Sequence, residues 1–155
     1  MLEVEYNGVK SSPYSIFSAR ASPALFTASG AGTGNVAAFQ TDPVKGDLTL
    51  NSDKSAAAKG FILVLYATGA GSTLPVPQNG LVAIEASTSS IPNVTVLLGD
   101  VAAEVLYAGA APGLITGIVQ INARIPDNAP IGKAVPITLK VDAFASPVGV
   151  TLNIK

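Results

Sequence analysis

The sequence contains no cysteine, no histidine and no tryptophan. Without cysteine there is no disulfide, no thiolate metal ligand and no cysteine nucleophile. Without histidine the usual general base near neutral pH and the commonest metal ligand are both missing. Lack of tryptophan removes the strongest aromatic platform for stacking a sugar or holding a cation. Charge is sparse as well: charged residues make up 12%, with nine basic against ten acidic side chains and a formal net charge of -1. Like charges nowhere run together, and phosphate-tracking surfaces need clustered Lys and Arg, so nucleic acid is not an expected partner. The longest apolar run, Phe61 to Ala67, is far shorter than the roughly 20 residues that cross a bilayer, so no membrane insertion is expected. Met1 to Tyr6 lacks the basic and apolar regions of a signal peptide.

Helical periodicity is also scarce. Ser55 to Lys59 has the composition for one helical turn that Gly60 ends, and no other stretch holds a 3.6-residue period long enough for a helix. What remains is a strand-and-turn rhythm. The 15 glycines and 11 prolines are spread along the chain and punctuate short runs rich in Val, Ile, Leu, Thr, Tyr and Phe.

Leu2-Glu3-Val4-Glu5-Tyr6 alternates apolar and charged residues, as a half-buried strand does, and Asn7-Gly8 supplies residues tolerant of positive φ. A return strand from Tyr14 to Ala19 is expected to close this hairpin through a longish loop. Further strands are expected at Val36 to Thr41 and Leu48 to Leu50, either side of an Asp42 to Asp47 turn, and at Phe61 to Ala67, apolar on both faces and so central. Pro75, Pro77 and Gly80 mark an irregular connection before a strand at Leu81 to Ala86. Asn93 to Leu98 and Val101 to Tyr107 flank Gly99-Asp100, a two-residue hairpin link. Val119 to Ile125 alternates strictly and stops at Pro126; Val135 to Val141 and Val148 to Ile154 complete about ten strands. At 155 residues this predicts one all-β domain, a β-sandwich with mostly antiparallel strands.

Three stretches carry a resemblance: Leu65-Tyr66-Ala67-Thr68-Gly69-Ala70-Gly71, Val105 to Gly113, and Gln120-Ile121-Asn122-Ala123-Arg124-Ile125-Pro126. In this order the chain resembles an uncharacterised C-terminal domain family of large secreted acidobacterial (Solibacter-type) proteins. Ser22-Pro23-Ala24-Leu25-Phe26-Thr27 is similar to that family's Pro-x-x-Phe link between two halves. The second half also resembles the immunoglobulin-like fold of plexins and transcription factors, where a strand ending in Val-Pro or Ile-Pro precedes a Gly-containing turn and a final hairpin, as Ile125-Pro126 precedes Gly132. The resemblance implies an immunoglobulin-like sandwich over residues 28–155. It implies that residues 1–27 are an additional N-terminal hairpin and linker, the remnant of a preceding repeat, and that the setting is secreted or cell-surface. It carries no catalytic residue.

Most polar and aromatic side chains that could suggest a site have a simpler structural role. Asp42 and Asp47 around Gly46 suggest calcium but read better as a solvated turn. Glu3 and Glu5 share a strand face by alternation alone. Gly69-Ala70-Gly71 lacks the third glycine and following helix of a phosphate loop, and no Ser and Lys are spaced as a nucleophile pair. Asn93-Val94-Thr95 fits a glycosylation sequon by chance. Tyr6, Tyr14, Tyr66 and Tyr107 fall at strands or strand ends, as core or corner residues do. Gln120 and Asn122 share one strand face and are expected to fix the fold through amide bonds. No catalytic residue, metal ligand or cofactor is expected.

The expected function is a non-catalytic interaction, adhesion or spacer module that meets a protein or cell-surface partner, a copy of itself included. One alternative is a self-assembling subunit linked by N-terminal strand exchange, with Leu2, Val4, Tyr6, Tyr14 and Ile16 as the inter-subunit strand. Another is a carbohydrate-binding module.

Overall fold

In the computed structural model, described for residues 1–77, 80–84 and 90–155, the chain is all-β. Two short strands form a separate sheet near the N-terminus: β1 (Glu5–Tyr6) and β2 (Val9–Lys10). The body contains β3 (Ala24–Leu25), β4 (Gly34–Asn35), β5 (Ala38–Thr41), β6 (Leu48–Leu50), β7 (Ile62–Thr68) and β8 (Val94–Leu98). It continues with β9 (Val101–Ala110), β10 (Val119–Arg124), β11 (Gly132–Val141), β12 (Phe144–Ala145) and β13 (Val150–Ile154).

These body strands form one curled, antiparallel-dominated sheet in the order β4-β13-β11-β8-β9-β10-β7-β5-β6, with β12 paired to β11 and β3 to β7. Among the described residues, β4–β13 is the one strand pair that runs parallel. Curling follows from two long strands that change neighbours partway. β9 pairs with β8 through Val101 to Ala103, then with β10 through Glu104 to Ala110. β11 pairs with β13 up to Pro136 and with β8 from Ile137 on. Pro136 has no N–H to donate, so a ladder ends naturally there.

Alternation places the core. On β7 the side chains of Leu63, Leu65 and Ala67 are buried while Ile62, Val64 and Tyr66 are half-buried on the opposite face. β10 does the same with Val119, Ile121 and Ala123. With Val96, Leu98, Ile137, Leu139 and Leu152 they line one continuous core that also takes in Ala21, Pro23 and Leu25. β7 is central, as expected, with β10 on one side and both β5 and β3 on the other.

Three local expectations are corrected. The hairpin closes tightly through Asn7 (φ 50) and Gly8 (φ 76), with Tyr6 opposite Val9, because two consecutive positive-φ residues form the two-residue turn whose twist suits paired strands. Tyr14 makes a single bridge to Leu2 and Tyr14 to Ala19 is not a strand. Ser55 to Lys59 makes no helical turn, because Ala57 donates its N–H to Asn153 O at 2.9 Å and runs parallel to Ile154. The strand expected at Leu81 to Ala86 falls partly outside the described residues; within them, Val82 bridges Ile115.

Candidate interaction surface

Residues 1–20 are exposed throughout, whereas the core begins at Ala21. The hairpin they form is amphipathic by face. Tyr6 lies opposite Val9 and Leu2 opposite Tyr14, so alternation sets Leu2, Val4, Tyr6, Val9 and Tyr14 on one side. Glu5 lies opposite Lys10, and Lys10 Nζ sits 2.8 Å from Glu3 Oε1, so charge occupies the other side. Backbone bonds Leu2 N–H to Tyr14 O (2.7 Å), Tyr14 N–H to Leu2 O (2.8 Å) and Ser11 N–H to Val4 O (2.8 Å) hold the ribbon. None of its apolar side chains is covered: Tyr6 is 77% exposed, Tyr14 70%, and Phe17 wholly exposed. All five expected contact residues, Leu2, Val4, Tyr6, Tyr14 and Ile16, lie on this exposed segment. Val9 and Phe17 join them; Val9 was legible from its place directly after Asn7-Gly8.

The hairpin's root is held by a close backbone crossing. Gly69 (φ 70) and Gly71 (φ 79) lie against Ser22 and Arg20, and a Cβ at either glycine would overlap the carbonyl oxygen it faces. Ser22 N–H donates to Gly69 O at 2.7 Å. The Gly-Ala-Gly stretch is therefore a clamp that seats the linker, which is why it needs glycine without any phosphate. Cavities of about 500 and 400 Å³ adjoin this crossing, both lined by Arg20 and Ser72.

Elsewhere, several polar side chains among the described residues are committed to structure. Gln120 Nε2 donates to Asn122 Oδ1 at 2.9 Å, on the half-buried outer face of β10. Tyr66 stands beside Gln120 and Tyr107 beside Asn122 across the sheet. The Tyr107 hydroxyl donates to Ala110 O at 2.6 Å, and burial pushes its pKa above the ordinary 10.0. Asp42 Oδ1 accepts from Val44 N–H at 2.8 Å within the β5–β6 turn. Asn93 Nδ2 donates to Asp142 Oδ1 at 2.8 Å, joining two turns whose residues both have positive φ. Among the described residues no group of three His, Cys, Asp or Glu is arranged to hold a metal ion.

A buried amide network lies between β5, β6 and β13, and nothing in the local sequence signalled it. Asn51 Nδ2 donates to Gln40 Oε1 (2.7 Å) and to Asn153 O (2.8 Å), while Asn51 Oδ1 accepts from Asn153 N–H (3.0 Å). Gln40 Nε2 reaches Ser55 O and Oγ, each at 3.2 Å. Turned so that its nitrogen meets the acceptors around it, the Asn153 amide donates to Asp53 Oδ1 at 3.2 Å and to the Lys133 carbonyl. Burial makes each of these bonds costly to lose, so the network ties the chain after β6 to β13. Comparison with protein-family models, curated proteins and solved structures finds no match to this chain.

Proposed function

We propose that this chain is a non-catalytic interaction or spacer module of a larger secreted protein, an immunoglobulin-like sandwich whose contact element is its N-terminal hairpin. The observation that carries this reading is the uncovered apolar face of the ribbon. The largest contiguous apolar patch on a soluble protein is commonly an interaction site. The secreted setting rests on the resemblance to the acidobacterial domain family. Partner exchange along β9 and β11, which bends one hydrogen-bonded path around the core, supports the sandwich reading, as does the parallel β4–β13 pairing.

The test is attachment of beads carrying the full chain to cells and protein-coated surfaces. The expected result is attachment that disappears when Val4 and Tyr6 are replaced together by glutamate. Equal attachment of both proteins would move the contact off the hairpin, and no attachment, or hydrolysis of ester, glycoside or peptide substrates, would end this reading.

A second reading, a carbohydrate-binding module, draws on the outer face where Tyr66, Gln120, Asn122 and Tyr107 adjoin. Aromatic faces beside amides suit neutral sugars. A glycan array giving signal that is lost in Tyr66→Ala supports it; an array without signal removes it.

A further inference from the structure

We propose that the apolar face of the hairpin packs against the same face of a second copy of this chain, forming a closed two-fold dimer. The proposal rests on the hairpin being the contact element and names its partner.

Size is the first reason. Fully burying an aromatic side chain removes roughly 150–250 Å² from water; two, Tyr6 and Tyr14, lie exposed on this face, and the wholly exposed Phe17 follows on the same segment just past the Tyr14 bridge. With the exposed Leu2, Val4 and Val9, the segment offers on the order of the ~800 Å² per partner found in stable interfaces. A lone two-stranded ribbon is marginal in water, and a second ribbon packed about 10 Å away supplies the missing layer.

Charge is the second. Residues 1–20 carry Glu3 and Glu5 against Lys10 and Arg20, so two copies meet without net repulsion. The ribbon's acids and its lysine lie on the face turned away from the contact.

The third reason is that the segregation is by face rather than by edge. β1 and β2 are two residues each, so their edges offer few backbone groups for strand addition. Two copies can bring the same apolar face together about a two-fold axis, and such a contact closes on itself rather than growing into a fibre.

Because the chain has no cysteine, single cysteines report which faces meet. The full chain is expected to sediment as a dimer at micromolar concentration. Val4→Cys should cross-link to its own copy on oxidation far faster than Glu5→Cys, its neighbour on the opposite face. Val4→Glu with Tyr6→Glu should weaken association about a hundredfold or more, since carboxylates would be buried without partners. That variant should keep the urea midpoint of the body, whose core starts at Ala21. A monomer at high concentration, equal cross-linking from both positions, or open-ended oligomers would each overturn the proposal. A monomer whose beads still attach elsewhere leaves the hairpin reading intact with a different partner; a monomer that attaches to nothing removes both.

Discussion

Replacing Gly69 by alanine should undock the linker that carries the hairpin, and Gly60 provides the control that isolates the reason. Both glycines sit in the left-handed region, at φ 70 and φ 81, where a side chain costs about 1–2 kcal/mol. A Cβ at Gly60 meets nothing within 4 Å, whereas at Gly69 it overlaps the Ser22 carbonyl oxygen and comes within 2.8 Å of its carbon. The obstacle is backbone, so the linker itself must move. That movement breaks the 2.7 Å bond from Ser22 N–H to Gly69 O, at about 1 kcal/mol. It also lifts the buried Ala21 and Pro23 partly into water, at about 0.8 kcal/mol per exposed methylene. Gly60→Ala is therefore expected to cost about 1–2 kcal/mol and Gly69→Ala about 3–4 kcal/mol. Urea unfolding reads the difference as a midpoint lower by about 1 M at unchanged slope. Trypsin supplies a local readout, because cleavage after exposed Arg20 requires the Arg20–Ala21 bond to leave its seat. Coincident midpoints and equal cleavage rates for the two variants would refute the clamp.

Two further outcomes are expected. Asn51→Ala leaves the Asn153 N–H and Gln40 Oε1 buried without partners, while Asn153 O keeps Ala57 N–H; at about 1–3 kcal/mol per orphaned group the loss should be about 2–6 kcal/mol by urea unfolding, and a loss below about 1 kcal/mol would contradict the network's role. Tyr107→Phe removes the bond to Ala110 O and should cost about 1 kcal/mol at neutral pH. The raised Tyr107 pKa means the unfolded chain releases this proton first, so its stabilising effect is full below the ordinary value of 10.0 and fades as pH rises through the folded value. The phenylalanine variant should lose stability less steeply in that alkaline range, and parallel curves for the two proteins would count against it.

Local signals in the sequence located most strands because alternation and turn chemistry need only neighbouring residues. Gly99-Asp100 joins Leu98 to Val101 in a two-residue hairpin, and the alternation from Val119 marks both the existence and the buried side of β10. The apolar face of the hairpin was legible in part: period-two alternation marked Leu2, Val4 and Tyr6. That the ribbon stands clear of the body was not, because exposure depends on where the rest of the chain lies.

Sequence by itself determined the strand rhythm, the turns and the scarcity of charge, since each follows from side-chain shape and backbone preference within a few residues. Tertiary structure alone decided that Gly69 and Gly71 seat a linker some fifty residues upstream, that Gln40, Asn51 and Asn153 share one buried network, and that β9 and β11 each serve two neighbours. These are matters of which distant backbones meet. Short-range alternation fixes the side of a strand that is buried, but only the assembled core selects the partner.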